Sequence, residues 1–242
     1  MIPKRIHYCW FGGGDLPEMA KKCIASWQKY CPDYEIVRWN EQNFDVQQIP
    51  YIKEAYEAKK WAFVSDYARF KILYEQGGVY LDTDVELIKP LDEILQKGGF
   101  MASESEYCQV AAGLGIAAPA GLPLYREILE DYENSRFFRP DGTKDLTTVV
   151  TRITKILEGH GLVHKDVIQE VAGIVVYPKT YFCPYDYHSK KLRCTENTYA
   201  IHYYADSWND KPISFKGRIY RAVYGLFGEK AARLLKKMLG KT

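Results

Sequence analysis

The stretch Trp61 to Glu86, WAFVSDYARFKILYEQGGVYLDTDVE, constrains this chain most, because one run carries a helix, a stop, a buried strand and an acidic pair. Phe63, Tyr67, Phe70 and Tyr74 recur at the spacing of one helical face, which predicts an amphipathic helix packed inward. Gly77 supplies the residue that ends a helix in the left-handed conformation. Val79, Tyr80 and Leu81 then form an apolar run suited to a strand covered on both faces, and Asp82-Thr83-Asp84 follows where that strand runs out. Side chains alternate along a strand, so Asp82 and Asp84 are expected on one side with Thr83 turned away.

Two carboxylates on one side repel each other, and a divalent cation or a cluster of donors between them relieves the repulsion. Hard oxygen ligands of this kind suit Mg²⁺ or Mn²⁺. The alternative is a solvated turn whose Asp side chains accept from nearby backbone amides. The setting favours the cation, because Ser65, Asp66 and Arg69 stand on the helix that must lie beside the strand.

The rest of the chain supplies a frame for this piece. Ile2 to Phe11 reads as a first strand followed by the flexible turn Gly12-Gly13-Gly14, where an α/β nucleotide site usually begins. Asp15 is expected to cap a helix over 16–31 with Met19, Cys23, Trp27 and Tyr30 facing inward, and Tyr34 to Trp39 reads as a second strand. Residues 40–60 read as a loop and a short helix. Further strands are expected at Gly99 to Ala102 and Val110 to Ala118, with Ala111, Ala112, Gly113 and Gly115 leaving room for something to lie against the sheet. Pro123 opens a helix through Tyr132, and Asp145 is expected to cap another whose face is Val149, Ile153 and Ile156. Asn134 to Lys144 between them, with Arg136, Phe137, Phe138 and Arg139, reads as a mobile loop: either ordinary surface or one that closes over a bound ligand. Tyr199 to Ile201 reads as a last strand with His202 at its end, and His7 reads as a core histidine. Strands alternating with helices at short spacing predict an α/β fold with a mostly parallel central sheet flanked by helices.

Six cysteines without C-x-x-C spacing or disulfide density read as reduced thiols of a cytoplasmic protein. No signal peptide is expected, and no apolar run approaches the length that crosses a bilayer. From Lys211 onward nine basic residues face only Glu229, which leaves 24 basic against 30 acidic residues in the body before it. Two units follow: a domain over 1–210 and a basic amphipathic helical tail over 211–242. The tail suits either the anionic inner face of a membrane or docking on the acidic body. Basic residues gathered in a tail, away from any aromatic platform, argue against nucleic acid as a partner.

The string S-D-x-x-R-x-x-x-L-x-x-x-G-G-V-Y-L-D-T-D, Ser65 through Asp84, resembles the signature of the D-x-D sugar-binding glycosyltransferases, the bacterial capsular and fungal initiating mannosyltransferase type. It is more distantly similar to the catalytic domain of the large glucosylating toxins. Residues 175–184 and 195–202 resemble the bacterial branch of the same family. The resemblance implies a single GT-A type domain and a metal-dependent retaining transfer of a hexose from a nucleotide diphosphate sugar, with a UDP-sugar favoured. The acceptor it implies is a hydroxyl of a growing surface glycan or a lipid-linked glycan. By resemblance Asp84 holds the cation with His202 and Asp82, Asp82 also faces the ribose and sugar, and Asp66 with Arg69 holds sugar hydroxyls. Trp10 matches an aromatic that stacks on the base, Tyr80 belongs with the donor-binding residues, and Ser207 and Trp208 match residues that cap the diphosphate. In this chain Ser207 and Trp208 are adjacent, whereas the toxins separate them. The rival expectations are a non-catalytic carbohydrate-binding protein and a nucleotide-sugar hydrolase.

Overall fold

A computed structural model describes residues 1–187, 189–205, 219, 223, 224, 228, 230–232, 234 and 235. Its order is β1 (Arg5–Cys9), α1 (Glu18–Tyr30), β2 (Glu35–Trp39), α2 (Pro50–Glu57), α3 (Trp61–Gln76), β3 (Gly78–Tyr80), β4 (Val85–Leu87), α4 (Asp92–Gln96) and β5 (Gly99–Ala102). A 3₁₀ turn at Ala112–Leu114 follows, then β6 (Ile116–Ala118), α5 (Pro123–Glu133), α6 (Val149–Gly159), β7 (Gln169–Val171), β8 (Ile174–Tyr177), α7 (Lys179–Phe182) and β9 (Ala200–His202).

Seven strands form one sheet in the order β2-β1-β3-β6-β5-β8-β7, and β4 pairs with β9 in a separate two-stranded ribbon. Strands β2, β1, β3, β5 and β8 run one way, while β6 and β7 run against them. Both faces of the sheet are covered. Cys9, Tyr80, Met101, Ile116 and Val176 face a core shared with α2, α3, α5 and α6, and their neighbours Tyr8, Val79, Phe100, Ala117 and Val175 face a second core with α1, α7 and the ribbon. This two-sided burial explains why the strands read as apolar runs.

The strand β1 has β2 on one side and β3 on the other. The chain therefore changes direction across the sheet between β1 and β3, and a crevice opens at the carboxyl ends of those two strands, where ligands of open α/β sheets bind. The helix α3 runs into this place and is buried nearly all round: Val64, Asp66, Ala68, Arg69, Ile72 and Leu73 are buried beside Phe63, Tyr67 and Phe70, while Tyr74 is half-buried. The single inward face expected of it gives way because α2 and α5 cover the side away from the sheet. Gly77 ends it at φ 66° and ψ −172°, where a Cβ would lie 2.8 Å from the Ala120 nitrogen.

His7 is fully buried with both ring nitrogens engaged: Trp39 Nε1 donates to Nδ1 at 3.1 Å, and Nε2 lies 3.0 Å from the Gly77 carbonyl. That pairing selects the neutral ring, and burial drives its pKa down to about 4. The native state thus binds fewer protons than the unfolded chain between about pH 4 and pH 6.5, so stability is present above that window and is lost as pH falls through it. We expect urea titrations to show His7 costing about 2 kcal/mol between pH 7 and pH 5, the product of roughly one and a half units and 1.36 kcal/mol per unit. His7→Gln, compared with wild type over the same range, should lack that share of the loss.

Several expectations are corrected. Asp15 does not cap α1; Pro17 stands at its N-terminus without a side-chain bond, and the inward face is Ala20, Cys23, Ser26 and Trp27, which leaves Met19 exposed. Thr148, not Asp145, caps α6 by accepting from the Thr151 nitrogen, because Asp145 is engaged with Arg139, Thr147 and Arg152. The strand expected over Val110 to Ala118 is broken by the 3₁₀ turn and survives only as β6. The loop Asn134 to Lys144 is tied down: Phe137 is buried between Tyr51 and Phe63, and the Glu54 carboxylate accepts from the Phe137 and Phe138 nitrogens while pairing with Arg136. All six cysteines are free. Among the described residues no helix is long and apolar enough to cross a membrane. Ser207, Trp208 and nearly all of the tail lie outside the described residues.

Candidate functional site

The strand β3 is short and stops at Tyr80, so Asp82, Thr83 and Asp84 lie in a turn and not on a strand. The expected alternation therefore does not apply, yet the two carboxylates still converge, for a different reason. The Asp82 nitrogen donates to the Gly113 carbonyl at 3.3 Å, the Val85 nitrogen donates back to the Asp82 carbonyl at 3.0 Å, and the chain folds over between them. Val85 then starts β4, whose antiparallel register with β9 sets Val85 opposite His202. One residue before Val85, Asp84 is clamped by the far strand: its carbonyl accepts from the Tyr203 nitrogen at 3.0 Å and its Oδ2 from the Ala205 nitrogen at 2.9 Å. His202 Nε2 lies 3.3 Å from Asp84 Oδ1.

Asp82, Asp84 and His202 each offer one ligand atom, all within 4.8 Å of one another. His202 Nδ1 is buried and has no hydrogen-bond partner among the described residues. Two carboxylate oxygens and one imidazole nitrogen form a donor set that suits Mn²⁺ and related ions, so these residues fit a divalent cation. Burial works against charge on His202, but Asp84 and Asp82 outweigh it and raise its pKa. Burial likewise works against the charge on Asp84, and its pairing with His202 and the Ala205 amide holds its carboxyl below the usual range. Asp82 goes the other way: burial and the charge of Asp84 raise it, with Arg69 opposing.

Asp82 is reached from the helix side. Tyr80 donates its hydroxyl to Asp82 Oδ1 at 3.0 Å, and Arg69 lies 3.4 Å from each of the two carboxylate oxygens. The Arg69 guanidinium sits over the Tyr80 ring at 4.9 Å, donates through Nε to the Ser65 carbonyl at 3.0 Å, and pairs with Asp66 at 3.0 Å. The Arg69 side chain is 4% exposed and that of Asp66 11%, so this is a buried pair and not the surface i,i+3 pair that their spacing also allows. Burial pushes the Asp66 carboxyl up to about 7 against the pull of Arg69. Behind the group, the Cys9 thiol is buried and pushed up to about 12 by that burial.

Trp10 stands just past β1, at the same end of the sheet as the acidic turn. Its ring is half-buried, and Nε1 donates to the Gly14 carbonyl at 2.7 Å, which closes the glycine turn. Gly12 has φ 91° and lies against the Trp61 ring, and its nitrogen donates to Glu41 at 2.6 Å.

The structure thus gathers Asp66, Arg69, Tyr80, Asp82, Asp84 and His202 in one linked group and leaves Trp10 on the neighbouring strand end. Sequence reasoning missed the ribbon that delivers His202 and missed Gly113. A Cβ on Gly113 would lie 2.2 Å from Asp82 Oδ2, so the space noted among the small residues is the seat of that carboxylate.

Residues 17–101 match the family described as glycosyltransferase sugar-binding region containing DXD motif. Inositol phosphoceramide mannosyltransferase 3 of Schizosaccharomyces pombe is 34% identical over 102 residues, which is 39% of this chain and 27% of that protein. The initiation-specific alpha-1,6-mannosyltransferase of Candida albicans is 27% identical over 123 residues, 47% of this chain and 32% of that protein. The chain therefore spans only about a third of the length of these relatives. The solved PaToxG glycosyltransferase superposes with a TM-score of 0.50 at 20% identity, covering 65% of this chain and 69% of that one. The fold is the GT-A type.

Proposed function

We propose, for a chain whose residues 17–101 belong to the DXD sugar-binding glycosyltransferases, a metal-dependent retaining transfer of a hexose from a nucleotide diphosphate sugar, UDP-linked by preference, to a hydroxyl of a surface or lipid-linked glycan. The observation that carries this reading is the convergence of Asp82, Asp84 and His202 beside the buried Asp66–Arg69 pair. Leaving-group departure is the hard step, since negative charge builds on the diphosphate as the glycosidic bond breaks. A divalent cation at Asp84, His202 and Asp82 would supply the Lewis acidity that offsets this charge.

The chain's own residues orient the donor. Arg69 donates and Asp66 accepts, so together they offer both halves of hydroxyl recognition on the sugar. Asp82, fixed by Arg69 and Tyr80, faces the ribose and the sugar, and Trp10 stacks on the base. Retention follows from attack on the face the diphosphate leaves, with no residue serving as a covalent nucleophile. Six free cysteines support a reducing, cytoplasmic setting. The mannosyl relatives add a second donor, because both are named for mannosyl transfer and a mannose donor belongs beside the UDP-sugars.

The test is to incubate the protein with UDP- and GDP-sugars, with and without Mn²⁺ and with hydroxyl acceptors, and to measure released nucleoside diphosphate. Metal-dependent release from one donor, accelerated by an acceptor, is expected. Release indifferent to any acceptor would point to a hydrolase. Absence of both release and donor binding would make the chain a non-catalytic protein on this fold.

A further inference from the structure

An imidazole that ligates a metal is ordinarily held by a hydrogen bond at its second ring nitrogen, which fixes the direction of the ring. Among the described residues His202 has no such bond: Nε2 faces Asp84 at 3.3 Å, while Nδ1 is buried without a hydrogen-bond partner. The ring is held by packing instead. Tyr204 stands edge-on to it, with ring centroids 4.2 Å apart and planes at 60°. Aromatic pairs of this kind prefer a particular mutual orientation, so the Tyr204 ring can do for His202 what a hydrogen bond does elsewhere.

Tyr204 is itself anchored. Its hydroxyl lies 2.9 Å from Sγ of Cys183, a fully buried residue just past α7, and its ring packs against Tyr187 at 5.4 Å. Burial pushes the Cys183 thiol up to about 12, so it stays protonated and shares a neutral hydrogen bond with the hydroxyl. The segment that carries Cys183 is joined directly to β9, since the Tyr199 nitrogen donates to the Tyr181 carbonyl at 2.8 Å. The anchor and the ligand strand are therefore parts of one packed unit.

The backbone of Tyr204 is unusual as well. It takes φ 52°, the left-handed region, which a bulky side chain seldom adopts and which costs on the order of 1–3 kcal/mol. The kink falls between two amides that both serve Asp84: the Tyr203 nitrogen donates to its carbonyl at 3.0 Å, and the Ala205 nitrogen to its Oδ2 at 2.9 Å. Such strain persists only where the surroundings hold it, and the contacts with Cys183, Tyr187 and His202 are those surroundings. We infer that Tyr204 is a positioning residue for the acidic turn and its histidine: its ring sets the His202 imidazole, and its left-handed backbone aims the Ala205 amide at Asp84, with Cys183 fixing the hydroxyl. The part that concerns a cation rests on the proposed function; the aim of the Ala205 amide does not.

Three variants of the full chain separate these parts. Tyr204→Gly and Tyr204→Asn remove the ring and accept φ 52° more readily than Tyr does, while Tyr204→Phe keeps the ring and removes the hydroxyl. Mn²⁺ affinity is measured by calorimetry with UDP present, and hydrogen exchange at the Ala205 amide is measured without metal. Loss of the ring should weaken Mn²⁺ about tenfold, the usual scale for a group that orients a metal ligand, and Tyr204→Phe should keep most of the affinity. The Ala205 amide should exchange about tenfold faster in the two ringless variants, because its bond to Asp84 opens more often. A role in packing alone would lower the melting temperature of the ringless variants and leave their Mn²⁺ affinity at the wild-type value, and that result would overturn the setting of His202. So would a Tyr204→Phe variant as weak as Tyr204→Gly. Wild-type protein that bound no Mn²⁺ would instead contradict the proposed function, and the exchange rates would still decide the aim of the amide: equal rates in all four proteins would refute it.

Discussion

Asp84→Asn is expected to lower metal-dependent release of nucleoside diphosphate by about 10²–10³-fold, which corresponds to roughly 3–4 kcal/mol of lost charge stabilisation at tenfold per 1.36 kcal/mol. The geometry explains why the fold should survive. Asn has the shape of Asp and keeps an oxygen for the Ala205 amide, and the Tyr203 bond goes to the Asp84 backbone carbonyl, which is untouched. What disappears is the negative charge that would hold a cation and that faces His202 at 3.3 Å. Circular dichroism and melting temperature should stay near wild type while turnover falls. A variant that turned over normally, still metal-dependent, would remove Asp84 from the mechanism.

Gly113→Ala should produce a loss of similar kind from a residue that carries no functional group. Its Cβ would meet Asp82 Oδ2 at 2.2 Å, far inside any real contact, while Arg69 Nη1 stands 3.6 Å away. The carboxylate must move, and moving it breaks its contacts with Arg69 and Tyr80 and its convergence with Asp84. Displacements of about 1 Å in such sites cost on the order of 10²-fold in rate. Gly14→Ala is the control, because a Cβ there meets nothing within 4 Å and its φ is ordinary. Loss in Gly113→Ala with Gly14→Ala active is the expected pattern. Equal activity in both would mean that the position of Asp82 does not matter to turnover.

How far the sequence could lead shows best at these same residues. Helix, glycine stop, short strand and acidic pair are all local features, and their order along Trp61 to Asp84 is as read, although α3 is buried nearly all round and the acidic pair lies in a turn. The approach of Asp82 to Asp84 was legible, but its cause was not. Alternation along a strand predicts it, whereas a turn tied to the Gly113 carbonyl produces it. Non-local pairings left weaker traces. β4 and β9 are three residues each and lie more than a hundred positions apart, so nothing local marks their register, although that register is what sets His202 beside Asp84. The misread cap at Asp145 has a nearer origin: it has the chemistry of a cap, but Arg139 and Arg152, six residues before it and seven after, engage its carboxylate instead.

The Asp82, Asp84 and His202 group is expected to hold a divalent cation which a nucleotide diphosphate completes. The most direct measurement is Mn²⁺ binding by the full chain, followed by electron paramagnetic resonance or calorimetry, with and without UDP, in wild type and Asp84→Asn. Wild type is expected to bind Mn²⁺, with UDP and Mn²⁺ tightening each other, and Asp84→Asn to lose both effects. Wild-type protein that took up no Mn²⁺ in the presence of UDP, or an Asp84→Asn variant that bound it as well as wild type, would rule out a cation at these three residues.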